Sequence, residues 1–257
     1  MERRKFLIYT AASLATIISW QGYQAQTPNN SVTIEWLGHM SFLFRGEGIR
    51  VLVNPFATLG CTAGYRLPRV EADLVLLSSF LLDEGSAEDL PGNPQVLYEP
   101  GDYQYQGIRF QGIGIPHDRE GGRRFGTNVA WSWTMGGLRI LHLGGAAAPL
   151  GIEERILMGS PDILLVPVGG GPKAYNPSEA IEAISVLNPR IIIPTQYLTP
   201  AADPLQCDLV NVDEFLNLAN DSTIQRLNTN QITISTQNLP TEGSLIKVFN
   251  YQNLLTV

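Results

Sequence analysis

Apolar and polar residues alternate from Val32 to Leu37, the period-two pattern of a half-buried strand. Ser41 to Arg45 and Ile49 to Val53 predict two more strands, and Gly46-Glu47-Gly48 between them is a hairpin signal. Leu74 to Leu77 is continuously apolar, as expected for a strand covered on both faces. Further strands are predicted at Gln95 to Tyr98, Ile108 to Ile115, Val129 to Thr134 and Leu138 to Leu143, with a Gly136-Gly137 turn before the last.

The rhythm changes in the second half. Ile152 to Met158 predicts a short helix, followed by an apolar strand at Asp162 to Pro167. Asn176-Pro177-Ser178-Glu179 opens a helix with a capping residue and a first-turn proline, and the helix runs to about Leu187. Arg190 to Ile193 is another buried strand, Val212 to Asn220 a helix, and Ile232 to Ser235 and Leu245 to Phe249 are closing strands. Strand-rich stretches with helices between the later strands point to an α/β (α+β) chain of two sheets with helices packed outside.

Composition narrows the function classes. The chain has 257 residues, 44% of them hydrophobic and 16% charged, so it is globular and long enough for one large domain over residues 32–257. Net charge is -7, and removal of residues 1–26 takes away three basic and one acidic residue to leave -9. So acidic a surface repels phosphate backbones, which excludes nucleic acid as an expected partner. Cys61 and Cys207 do not form a Cys-x-x-Cys motif, so a thiolate zinc site is not indicated. A disulfide between them and two buried thiols remain equal alternatives.

Residues 1–26 read as a targeting segment. Arg3-Arg4-Lys5-Phe6-Leu7 resembles a twin-arginine export signal, followed by a diluted apolar stretch to Trp20. That stretch is shorter than the ~20 apolar residues a spanning helix needs. Tyr23-Gln24-Ala25-Gln26 offers no clean cleavage pattern, so an uncleaved leader acting as a membrane tether is one alternative. The expected destination is a periplasm or a thylakoid lumen.

Several segments, in order, resemble one family. Trp36-Leu37-Gly38-His39-Met40-Ser41-Phe42, Val51-Leu52-Val53-Asn54-Pro55-Phe56, and Ala72-Asp73-Leu74-Val75-Leu76-Leu77-Ser78 carry the resemblance in the first half. Leu141-His142-Leu143-Gly144-Gly145, Asp162 to Gly170, and Ile193-Pro194-Thr195-Gln196-Tyr197 carry it in the second. They are similar to the L-ascorbate-6-phosphate lactonase-like branch of the metallo-β-lactamase superfamily. The resemblance implies a four-layer αββα sandwich and a hydrolase with two divalent ions at the strand ends, bridged by a hydroxide.

Carried over by position, the family's ligand set falls on Ser79, Leu81, Asp83, Glu84, His117, Gly145 and Gln196. The family's Thr/Ser-His-x-His-x-Asp-His run becomes Ser78-Ser79-Phe80-Leu81-Leu82-Asp83-Glu84, and only Asp83 and His117 match at ligand positions. One metal position would rest on Ser79, Leu81 and His117, and a leucine cannot donate. The other would rest on Asp83, Glu84, Gly145 and Gln196, with the bridging aspartate gone. No cofactor is expected; the alternative is one weakly bound hard divalent ion on Asp83, Glu84 and His117.

Other groups have plainer readings. Ser79, Asp83 and His117 in one volume would be the ingredients of a nucleophilic triad, although no nucleophile elbow surrounds Ser79. The ordinary alternative is a vacated site refilled with small, polar and apolar residues. His39 and His142 read as structural. Gly169-Gly170-Gly171 lacks the Lys-Ser/Thr of a phosphate loop and reads as pocket rim. Tyr103, Tyr105, Trp131 and Trp133 read as core or sheet-face aromatics. The expectation is an exported, non-catalytic protein with a protein partner or small-molecule ligand; the alternative is a one-metal hydrolase of small esters or lactones.

Overall fold

Two sheets face each other in the computed structural model, which describes residues 30–219 and 222–256. The leader expected at 1–26 and Asn220, the last residue of an expected helix, lie outside the described residues.

The first sheet is built mainly from the amino-terminal strands β1 (Ser31–Gly38), β2 (Ser41–Gly46), β3 (Ile49–Val53), β4 (Leu74–Leu76) and β5 (Gln95–Leu97). The first three are antiparallel, and β3, β4 and β5 run parallel. Register sorts their side chains. Leu43, Leu52, Val75 and Val96 are cross-strand neighbours on one face. Phe44, Val51 and Leu74 lie on the other, against the second sheet.

The second sheet contains β6 (Gly101–Tyr105), β7 (Ile108–Pro116), β8 (Thr127–Met135), β9 (Leu138–His142), β10 (Ile163–Pro167), β11 (Ile191–Thr195), β12 (Thr223–Arg226) and β14 (Leu245–Val248). Strand β13 (Gln231–Ser235) crosses back and pairs with β1, stitching the carboxy-terminal part of the chain to the first sheet. The order β12-β14-β11-β10-β9-β8-β7-β6 is parallel as far as β9 and antiparallel beyond it. Parallel neighbours need long crossovers, and helices α1 (Ile152–Met158) and α2 (Pro177–Leu187) supply two of them. Asn176 caps α2 reciprocally with Glu179: each side chain accepts from the other residue's backbone N–H, at 3.0 and 2.8 Å. Helix α3 (Val212–Leu216) is shorter than the expected run to Asn220: beyond it the bonds tighten to three-residue turns, Leu218 N–H donating to Phe215 O and Ala219 N–H to Leu216 O.

Between the sheets, Phe44 meets Trp133 edge-to-face at 4.9 Å. Trp131 and Trp133 are buried, with Tyr103 and Tyr105 packed at the margin, so all four aromatics serve the core. The layers are not symmetric. The outer face of the first sheet is covered by Val70, Ala87 and Leu90 from loops, and among the described residues no α-helix precedes β9. One outer layer of the expected sandwich is therefore loop. Strand β6 was marked only by the aromatic positions Tyr103 and Tyr105, and β12 was not anticipated. The first is a polar edge strand and the second has four exposed residues, so neither carries an apolar signal.

Cys61 and Cys207 are joined, with Cα atoms 4.7 Å apart, which settles the alternatives left open by sequence. The bond ties the loop after β3 to the loop after β11. Gly64 N–H donates to Ala201 O at 2.6 Å, and Asp203 N–H donates to Gly60 O at 2.8 Å, across the same junction.

Candidate functional site

Six segments converge at the ends of strands. Ser79, Leu81, Asp83 and Glu84 follow β4, His117 follows β7, Gly145 follows β9, Lys173 follows β10, Gln196 follows β11, and His39 sits in the β1–β2 turn. The core places two of them. Trp36, whose ring packs against Tyr197 at 5.8 Å, donates its indole N–H to the carbonyl of His39 at 3.1 Å. That carbonyl also accepts from Gln196 N–H at 3.4 Å. His39 and Gln196 both hold φ near +50°, a conformation that non-glycine residues adopt only under constraint.

The loop after β4 is folded on itself. Glu84 N–H and Gly85 N–H both donate to Leu81 O at 2.8 Å. A β-carbon at Gly85 would stand 1.8 Å from Ser79 O, so only glycine permits this closure. The fold of the loop turns Glu84 inward, where it is 0% exposed.

Glu84 is the hub. Its Oε1 accepts from Gln196 Nε2 at 2.9 Å and lies 2.9 Å from Lys173 Nζ. Its Oε2 accepts from Ser79 Oγ at 3.0 Å and lies 3.0 Å from His117 Nε2. The imidazole approaches at ion-pair distance, but its N–H is poorly directed for a hydrogen bond. Burial pushes the Glu84 carboxyl up, but the His117 contact and the Lys173 ammonium outweigh it and hold it down to about 2. Glu84 is thus a buried, fully ionised carboxylate.

Lys173 completes the group. Its Nζ donates to both Asp83 oxygens, at 2.7 and 2.6 Å, as well as reaching Glu84. Burial works against its charge, but Glu84 and Asp83 outweigh that and hold Lys173 above the ordinary lysine value. The glycine run that reads as pocket rim delivers this lysine: Gly170 and Gly171 have φ of +79° and +75° and turn the chain back. Arg119 fastens the same loop by donating to Gly171 O and Ala174 O while pairing with Glu179.

Gly145 explains how so much fits. A β-carbon there would lie 2.4 Å from His117 Nε2, 2.9 Å from Glu84 Oε2 and 3.0 Å from Lys173 O. His39 is buried beside the cluster, and neither of its nitrogens has a partner among the described residues. Burial drives it down to about 4, against the opposing pull of Asp83 and with that of Lys173.

Of the seven positions singled out by sequence, Glu84 is the centre and the side chains of Ser79, Asp83, His117 and Gln196 gather around it, with Gly145 making the room. Leu81 serves the loop through its backbone, accepting from Glu84 and Gly85 and donating its N–H to Ser79 Oγ at 3.3 Å, and it lines, with Ser79, Phe80, Tyr98 and Phe125, a cleft of about 440 Å3. The triad does not form: Ser79 donates to Glu84, and Asp83 is engaged by Lys173. His142 is structural as expected, linking Met40 O at 3.1 Å and Gly144 N–H at 3.0 Å. Asp118 is committed to its own loop. Four backbone N–H groups, of Phe125, Arg124, Glu120 and Gly122, hold it down to about 2 against the upward push of burial. Lys173 was not anticipated. A lone lysine after Gly-Gly-Gly-Pro carries no motif, and the only signal was the pair of acidic residues left at 83 and 84.

Comparison with known proteins identifies the family. The beta-lactamase superfamily domain matches residues 33–196. The chain belongs to that family. A metal-dependent hydrolase of Thermococcus onnurineus is 27% identical over 218 residues, covering 74% of this chain and 93% of the relative. Another, of Pelotomaculum thermopropionicum, is 29% identical over 194 residues, covering 65% and 84%. A Thermotoga maritima protein described as a Zn-dependent hydrolase of the metallo-beta-lactamase superfamily superposes with a TM-score of 0.66 at 28% identity, over 85% of this chain and 98% of that one.

Membership in the superfamily implies a metal centre, and the donors of this chain do not fit one. Leu81 and Gly145 have no donor side chain, and Ser79 is spent on Glu84. The carboxylates that remain already surround an ammonium at hydrogen-bond distance.

Proposed function

We propose that this chain is an exported beta-lactamase superfamily protein that does not hydrolyse by the metal route and serves as a binding or assembly partner. The observation that carries this reading is the donor set: at the seven family positions it leaves a closed ion-pair cluster around Glu84. The binding role is supported by the adjoining cleft, where Phe80 and Tyr98 are exposed and their rings lie 5.0 Å apart. Export is supported by the Arg3-Arg4-Lys5 leader and by the Cys61–Cys207 disulfide, a bond that persists in oxidising compartments. The destination we propose is a periplasm or thylakoid lumen, with the leader as a tether if it is retained. Nucleic acid is not among the partners we propose.

A second reading has a specific basis. The relatives are named metal-dependent hydrolases, which favours metal-dependent hydrolysis; the form we propose for it here is a hydrolase of small esters or lactones with one metal on Asp83, Glu84 and His117. The lactonase-like branch is supported only by the motif resemblance. Turnover of a panel of esters and lactones by the purified chain, with and without added Mn2+ or Zn2+, separates the two. No metal-stimulated turnover is expected. Turnover that requires metal and vanishes in Asp83→Ala would establish the second reading.

A further inference from the structure

We infer that Lys173 is a built-in cation: its ammonium stands where this fold holds metal and closes the site to divalent ions. The inference rests on the non-hydrolytic reading above and names what replaced the metal.

A carboxylate as buried as Glu84 needs a counter-charge, and removing one from a buried pair is costly. In metal-bearing members of the fold, the ion is that charge. Here three carboxylate oxygens, two from Asp83 and one from Glu84, lie within 2.9 Å of a single nitrogen with three protons to donate. A divalent ion on the same oxygens would stand about 2.0–2.6 Å from them, in the volume that Nζ holds. Two cations cannot share it, so the lysine must leave before an ion enters.

The backbone is arranged for this lysine. The carbonyl of Lys173 approaches to 3.0 Å of where a β-carbon at 145 would stand, so a side chain at Gly145 and the Lys173 loop compete for one space. Glycine at 145 therefore leaves room for the loop that carries Lys173. Gly171 admits the loop against Asp208, where a β-carbon would come within 2.9 Å of a carboxylate oxygen. Arg119 then holds the loop by two carbonyls. Nearby, Gln196 Oε1 is buried without a partner among the described residues, an acceptor left over once Nε2 turns to Glu84.

The test compares the full chain with Lys173→Ala and Lys173→Ala/Glu84→Gln, disulfide intact, in EDTA and in millimolar Mn2+ or Ca2+. Thermal melts and metal content are read together. The wild-type melting temperature is expected to be the same in both buffers, with no metal retained. Lys173→Ala is expected to melt several degrees lower in EDTA, to regain stability with Mn2+ or Ca2+, and to retain about one ion. The double variant is expected not to respond. Should Lys173→Ala prove insoluble, its refolding yield with and without Mn2+ reads the same question, and equal yields overturn the inference. A Lys173→Ala protein as stable as wild type and blind to both ions also overturns it, while leaving the non-hydrolytic reading intact. Metal retained by wild type at Asp83 overturns both.

Discussion

Acid should destabilise this protein through Glu84, and the size of the effect follows from the site. The carboxyl is held down to about 2 from an ordinary 4.5, because the His117 contact and the Lys173 ammonium outweigh the upward push of burial. A depressed folded-state value means that the unfolded chain binds the proton first. The contribution is complete above pH 4.5 and is lost as pH falls towards 2. At about 1.4 kcal/mol for each unit, the loss is about 3 kcal/mol. Asp118 titrates in the same window, so the wild-type curve alone is ambiguous. The assay is chemical denaturation at a series of pH values for wild type and Glu84→Gln. Above pH 5 the variant should be less stable by about 3 kcal/mol, the usual cost of breaking a buried pair. The two curves should converge as pH approaches 2. Parallel curves across that range would refute the ion-pair reading of Glu84.

Other perturbations reach other parts of the structure. His39 and His142 are both pushed down to about 4 from 6.5 by burial, so protonation favours the unfolded chain and stability should fall as pH drops from 6.5 towards 4; His39→Gln should flatten part of that slope in the same titration. Gly145→Asp, which restores the lost bridging residue, should destabilise by roughly 3 kcal/mol or more and bind no metal, because its β-carbon meets His117 and Glu84; calorimetry and metal content check both. Reducing the Cys61–Cys207 bond, which spans 146 residues of sequence, should lower stability by about 2–5 kcal/mol, read from denaturation with and without reductant.

Much of the fold was legible because its central strands are strongly apolar. Leu74–Leu76, Ile163–Pro167 and Ile191–Thr195 are buried throughout, and each stands out as a hydrophobic run. The edge strands β6 and β12 could not stand out, since their stability comes from pairing with β7 and β14 rather than from burial. The proximity of the positions singled out by sequence was legible. Five aligned positions do lie about Glu84, because the strand ends that carry them are set by the same core. The chemistry of the site was not legible. Lys173 reaches Asp83 across 90 residues, and the Cys61–Cys207 pair spans more; neither partnership leaves a local pattern. What sequence did contain was an imbalance, two adjacent acids with their metal partners gone, and the lysine resolves it.

Metal stoichiometry of the wild-type chain bears most directly on the central claim. The protein, with its disulfide intact, is equilibrated with Zn2+, Mn2+ or Fe2+, separated from free ion, and analysed for metal per chain. No stoichiometric ion is expected, because Lys173 already occupies the oxygens of Asp83 and Glu84. One equivalent of metal in wild type, absent from Asp83→Ala, would contradict it.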